Sequence, residues 1–188
     1  MKIINIQQGT KEWHAFRQCH LGASDSGAIL GLNPWKTEKQ VWEEKVLGFA
    51  SPTNQKMIDG QKSEQQARNV YNALKGYDCE PVVLVDSVYD HISASLDGLS
   101  NDNCHAVEIK CGRSSHKLAQ KGEIPKYYYS QLQHQIYVAD LTGIDYFSFY
   151  DGDAITMRFH RDYEFIDAML KKYNQFWEKV KKGEWYEL

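Results

Sequence analysis

Three short segments rich in β-branched residues follow one another between residues 81 and 110: PVVLV, HISASLDG and AVEIK, parted by polar turns such as SNDN. Strands this short must pair with one another, and the sheet they form must have its apolar faces covered. The covering material is present on both sides in sequence. From 54 to 75, Met57, Ile58, Ala67, Val70, Tyr71 and Leu74 recur near a helical period, which predicts an amphipathic helix ending at Gly76. After the break at Ile124-Pro125, 127–138 reads as a second helix, and 162–182 as a third with Tyr163, Ile166, Met169, Leu170, Tyr173, Phe176, Trp177 and Val180 on one stripe. Between these two, DYFSFYDGDAITMRFH reads as a hairpin turning at Asp151-Gly152. Helical pieces are expected upstream at 11–19, 25–30 and 37–46, the last capped by Thr37. The pattern predicts an α/β architecture, a central sheet flanked by helices.

At 188 residues the chain has the size of one domain, and we expect a single domain over 1–188. No apolar run approaches the roughly 20 residues of a membrane span, and MKIINIQQGT lacks the layout of a signal peptide. The expected location is the cytoplasm. Cys19, Cys79, Cys104 and Cys111 form no C-x-x-C pair, and His91, His105 and His134 lack metal-ligand spacing, so neither a zinc ribbon nor a disulfide framework is suggested. A net charge of -3 argues against a surface uniformly coated with positive charge.

Side chains alternate faces along a strand, so Glu108 and Lys110 of V-E-I-K share one face while Val107 and Ile109 take the other. Asp97 lies just before Gly98, where a strand is expected to end, and the turn SNDNCH brings it back toward Glu108. Two carboxylates with the backbone carbonyl of Ile109 supply the hard oxygen ligands that Mg²⁺ prefers, water and phosphate filling the remaining positions. Such a site suits phosphodiester hydrolysis, with Lys110 positioning or helping to deprotonate the attacking water. Taken alone, D-x₁₀-E-x-K is a weak pattern.

The surrounding blocks add specificity. GTKEWHAFR…LGASDSGAILGLNPWKT carries Trp13, Arg17, Gly22, Ser24, Asp25, Gly31 and Trp35; DGQKSEQQAR carries Gly60, Glu64, Ala67 and Arg68. SASLDG, with Leu96 in the place of a common proline, VEIKC, and IPKYYYSQLQHQIYV with Gln133 and Tyr137 complete the set. Together these resemble the YqaJ-like viral recombinase family, lambda exonuclease-like members of the PD-(D/E)xK nuclease superfamily, over most of 9–150. The resemblance implies a PD-(D/E)xK restriction-endonuclease-like fold with a central mixed sheet. It implies Asp97, Glu108 and the Ile109 carbonyl as metal ligands, Lys110 as the catalytic lysine, and Glu64 as a further acid orienting water or a second ion. Mg²⁺ is the expected cofactor, with Mn²⁺ as a substitute.

Arg17, Ser24 and Ser95 match positions that hold a 5′-terminal phosphate in such relatives, and a guanidinium with hydroxyls is suited to that task. A further basic residue of that pocket falls to Arg113, His116 or Lys117. Gln131 and Gln133 are expected to face the site from their helix, Gln133 among the catalytic residues and Gln131 against DNA. Tyr137 and the run Tyr127 to Tyr129 are read as packing.

The implied activity is a 5′→3′ exonuclease acting on double-stranded DNA ends and leaving 3′ single-stranded tails for phage-type recombination. The implied partners are two further copies in a ring-shaped homotrimer and a single-strand annealing protein. The alternatives are an endonuclease on the same fold, and a DNA-end-binding module without catalysis.

Overall fold

Six strands line up in chain order within one mixed sheet: β1 Lys2–Ile4, β2 Glu80–Val85, β3 Ser93–Leu99, β4 Ala106–Lys110, β5 Gly143–Tyr150 and β6 Asp153–His160. This arrangement comes from a computed structural model that describes residues 1–49 and 55–185, with backbone alone for 55–62. Neighbouring strands run antiparallel except β4 and β5, which are parallel. A parallel pair needs a crossover of a dozen residues or more, and the 111–142 connection supplies it with α5 Arg113–Ala119 and α6 Lys126–Val138. The remaining helices are α1 Lys11–Gln18, α2 Ser26–Ile29, α3 Glu38–Leu47, α4 Gln55–Lys75 and α7 Tyr163–Lys182.

Most of these elements were predicted, and local chemistry explains their ends. Thr37 accepts the Gln40 amide while the Gln40 side chain accepts the Thr37 amide, which closes the first turn of α3. Asp151 and Gly152, with φ of 51° and 79°, make the tight hairpin turn between Tyr150 and Asp153. Two elements escaped the pattern. The edge strand β1 is three residues long, and α5, RSSHKLA, carries no apolar stripe at helical spacing. Met57, Ile58 and Gly60 lie among residues whose side chains are not described.

The sheet is covered on both faces. On one, Leu84, Ala94, Leu96, Ile144 and Tyr146 pack against Ile29, Val41, Leu132, Ile136, Met169 and Phe176 of α2, α3, α6 and α7. On the other, Val107, Ile109, Phe147 and Phe149 pack against Ala67 and Tyr71 of α4. β3 does not end at Gly98, as expected, but runs on to Leu99. The glycine is required by packing: a Cβ there would lie 2.8 Å from Val107 Cγ1 and 2.9 Å from Cys79 Cβ. β3 pairs with β4 only through Gly98 with Val107 and Leu99 with Ala106, after which the strands part.

Candidate active site

The parting of β3 and β4 places Asp97 opposite an unpaired stretch of β4. Its Oδ2 accepts the Ile109 amide at 2.7 Å, a side chain taking the place of the missing ladder partner. The carbonyl of a strand residue leaves on the same edge as its amide, so the Ile109 carbonyl faces the same opening as Asp97. Glu108 projects from the opposite side of the strand to Val107 and Ile109 and is 2% exposed. Lys110, next on that face, forms an ion pair with Glu108 Oε1 and lies 4.8 Å from the centre of the Tyr128 ring. Burial acts to neutralise the Lys110 ammonium, but Glu108 and Asp97 outweigh it and hold its pKa well above the ordinary value.

The third acid comes from α4. Arg68, 4% exposed, donates from one nitrogen to Glu64 Oε1 at 3.3 Å and to the Asp97 carbonyl at 2.8 Å. Its other terminal nitrogen donates to Gln65. The arginine thereby fixes helix α4 to the backbone at Asp97, a role its place in the sequence motif did not disclose. Burial raises the pKa of both Glu64 and Asp97. Asp97 is pushed further by Glu108 and Glu64, and Glu64 by Glu108, against the opposing pull of Lys110 and, for Glu64, of Arg68.

Carboxylates that resist ionisation because they are buried, and because they face one another, mark a site that a divalent cation would balance. Among the described residues no group of three or more His, Cys, Asp and Glu forms a ready-made cage. Two carboxylates and a carbonyl with open positions fit Mg²⁺, which retains water and binds through few protein oxygens. Asp97, Glu108 and the Ile109 carbonyl therefore fit such an ion, with Glu64 beside them.

Helix α6 lies over Glu108. Gln131 donates to Glu108 Oε1 at 2.6 Å and Gln135 donates to Oε2, so a Q-x-x-x-Q pair grips the carboxylate from one helix face. Gln133 does not reach the site. Two residues along a helix turn a side chain nearly to the opposite face, and Gln133 donates to the His160 carbonyl and accepts the Asp162 amide, both at 2.9 Å. It fastens the β6–α7 corner, where Asp162 also caps α7 by accepting the Phe165 amide. Gln135, which the sequence reading passed over, faces Glu108 in its stead; the i, i+4 relation to Gln131 was the signal. Tyr137 donates to Asp86 at 3.2 Å and Tyr129 to Asp162 at 2.7 Å, both in packing roles.

Arg17, Ser24 and Ser95 are brought into one contact chain. Arg17 donates to the Ser24 hydroxyl at 2.7 Å and lies 4.6 Å from the centre of the Trp13 ring, whose indole N–H donates to the Ser95 hydroxyl at 2.9 Å. The Ser95 carbonyl accepts from Gln135 at 3.4 Å, which joins this pocket to Glu108. Of the three candidates for a further basic residue, Arg113 and Lys117 are exposed on α5. His116 is excluded: it is 4% exposed, and its ring bonds Ser148 Oγ at 3.0 Å and Asp153 at 3.1 Å. Burial leaves its ring no surface for a phosphate.

Sheet, helices and the D-x₁₀-E-x-K constellation together define the class, the PD-(D/E)xK nuclease fold. The profile of the YqaJ-like viral recombinase domain matches residues 12–143, and the chain belongs to that family. It is 26% identical over 193 residues to the uncharacterized protein YqaJ of Bacillus subtilis (strain 168), covering 96% of this chain and 59% of that protein. It is 29% identical over 104 residues to protein D345L of African swine fever virus (strain Badajoz 1971 Vero-adapted), covering 53% of this chain and 29% of that protein. The chain thus spans less than two thirds of these curated relatives. Among solved structures it resembles an alkaline exonuclease from Laribacter hongkongensis, at a TM-score of 0.81 and 22% identity, covering 92% of this chain and 93% of the other. That exonuclease has also been solved in complex with dAMP. A phage related exonuclease from Haemophilus somnus 129PT follows at a TM-score of 0.69 and 15% identity, covering 89% and 97%. Among the described residues no helix is long and apolar enough to cross a membrane.

Proposed function

We propose that the protein is a metal-dependent 5′→3′ exonuclease on double-stranded DNA ends, within a single nuclease domain over 1–188. The observation that carries the reading is the crowding of Asp97, Glu108 and Glu64 around Lys110, beside a pocket built from Arg17, Ser24 and Ser95. When bound, Mg²⁺ or Mn²⁺ would neutralise the phosphate and acidify a water. Asp97, Glu108 and the Ile109 carbonyl would hold that ion, and Gln131, Gln135 and Lys110 fix the Glu108 carboxylate. Lys110, paired with Glu108, positions the attacking water or helps to deprotonate it. Glu64, steadied by Arg68, orients water on the α4 side. The likeness to an alkaline exonuclease and to a phage related exonuclease supports this assignment, as does the family. We extend it to a cytoplasmic homotrimer that works with a single-strand annealing protein in phage-type recombination and leaves 3′ tails.

A digestion time course on duplexes labelled separately at each strand tests the reading. Loss of the 5′-ended strand with Mg²⁺ or Mn²⁺, an untouched closed circle, and binding without turnover in Ca²⁺ are expected, because the larger ion coordinates loosely. Cleavage of the circle would make the protein an endonuclease, and end binding with no cleavage under any ion would make it a binding module.

The pocket predicts how the enzyme reads a DNA end. Removing the 5′ phosphate should slow wild-type digestion by about tenfold or more, since charge-assisted bonds are at stake. Arg17→Ala should slow the phosphorylated substrate by a similar factor and leave the dephosphorylated one nearly unchanged. Equal slowing of both substrates would reduce Arg17 to a structural or general backbone contact.

A further inference from the structure

Trp35 is 74% exposed, the highest exposure of any aromatic ring among the described residues, yet the loop that carries it is firmly held. The Asn33 side chain accepts the Trp35 and Lys36 amides at 2.9 and 3.2 Å, and the Gly27 carbonyl accepts the Leu32 and Asn33 amides at 2.7 and 3.0 Å. At the far end Lys36 is ion-paired to Glu44 at 2.6 Å. The indole stands edge-on to Tyr127, centroid to centroid 5.2 Å, and Tyr127 is 4.5 Å from Tyr128. Tyr128 in turn carries the Lys110 ammonium over its ring at 4.8 Å. Three aromatic rings thus run from the candidate active site to an open indole face. The start of this path is rigid, since Gly27 lies so near α6 that a Cβ there would sit 2.8 Å from Tyr127 Cβ.

The polar and basic neighbours of the ring are Asn33, Lys36 and Thr37 in its own loop and the exposed Lys126, one residue before Tyr127. One exposed ring on a held loop, beside basic groups and joined to a phosphate-handling site, matches a single nucleobase. We propose that the Trp35 indole, braced by Tyr127, stacks on a nucleobase of the strand whose phosphate lies at Lys110, fixing how far that strand enters the site. The proposal deepens the nuclease reading and rests on it.

The test uses 5′-phosphorylated duplex ends, with binding measured by fluorescence anisotropy in Ca²⁺ and hydrolysis in Mg²⁺. Trp35→Ala should weaken binding by about tenfold, within the range of one base–aromatic stack, while Trp35→Phe keeps most of the affinity. Hydrolysis of bis(4-nitrophenyl) phosphate, which has no base, should be unchanged in both variants. Scanning an abasic nucleotide along the terminal positions should find one whose loss weakens the wild type as Trp35→Ala does and costs the variant nothing further. The platform is overturned if Trp35→Ala binds like the wild type, or if its loss and the abasic loss multiply at every position. A changed solution mass in Trp35→Ala would overturn it too, making the ring a contact between copies. A wild type that binds ends but cleaves no DNA would sink the nuclease reading, and the binding arms would still judge the stacking.

Discussion

Asp97→Asn and Lys110→Met are each expected to lower DNA hydrolysis by about 10³-fold or more, the several kcal/mol that an ion and its oriented water supply to phosphoryl chemistry. Asparagine keeps an oxygen for the Ile109 amide that Asp97 accepts at 2.7 Å, so the splayed strands stay joined while the charge is lost. Methionine removes the charge at nearly the length of Lys110, and Gln131 and Gln135 still hold Glu108. Asp97→Asn should unfold at nearly the wild-type temperature, while Lys110→Met strands the buried Glu108 charge and should unfold lower yet keep the wild-type circular dichroism at the assay temperature, which separates a chemical defect from a structural one. Wild-type cleavage by either folded variant removes the assignment of the site.

The largest effect on stability is expected away from the chemistry, at Lys45. Its ammonium contacts the Asp25 carboxylate at 2.8 Å and donates to the Arg17 carbonyl at 2.8 Å, with both side chains 5% exposed or less. Burial works against an ionised Asp25, but Lys45, Lys36 and Arg17 together hold its pKa well below the ordinary carboxylate value. Removing one partner of a buried pair strands the other charge, at a cost of about 3 kcal/mol. Lys45→Ala should therefore lose about 3 kcal/mol in urea unfolding at neutral pH, and Asp25→Asn added to it should recover a good part. A depressed folded-state pKa contributes stability that is present above the unfolded value, about 4, and is lost as pH falls toward the lower folded value. The gap between wild type and Lys45→Ala should accordingly narrow below about pH 4. An unchanged gap at pH 3 would show that Asp25 is not the source. Since Lys45 also holds the turn of α1 that carries Arg17, the same variant should loosen end recognition.

The sheet and the long helices were legible because strand alternation and helical periodicity are properties of a few consecutive residues. The nearness of Asp97 to Glu108 followed from a short turn between two strands. The parallel pairing of β4 with β5 was not legible, since it depends on where a long crossover returns. At the site, sequence reasoning erred where it borrowed a motif without applying helix geometry: Gln133 was expected to face the site together with Gln131, although two residues along α6 turn it away, and Gln135 lies on the face of Gln131. His116 was judged by residue type, whereas its fate was set by Ser148 and Asp153, more than 30 positions away in the chain. Gly98 was read as a strand end because glycine often is one. The space it leaves is claimed by Val107 and Cys79, which no local pattern reveals. Trp13 was quoted only as part of a signature, and its bond to Ser95 appears once α1 is laid against β3.

The early parting of β3 and β4 separates two things that a longer ladder would tie together. The turn beyond them closes on itself, the Ser100 amide donating to the His105 carbonyl at 2.8 Å and the Ser100 hydroxyl accepting the His105 amide at 3.0 Å. The spacing from Asp97 to Ile109 is set by one carboxylate arm and two strand pairs, not by what happens at the tip. In descent, such a tip is free to lengthen, shorten or change its charge while the reacting groups keep their places. The lineage can thus revise the loop and conserve the chemistry as independent characters.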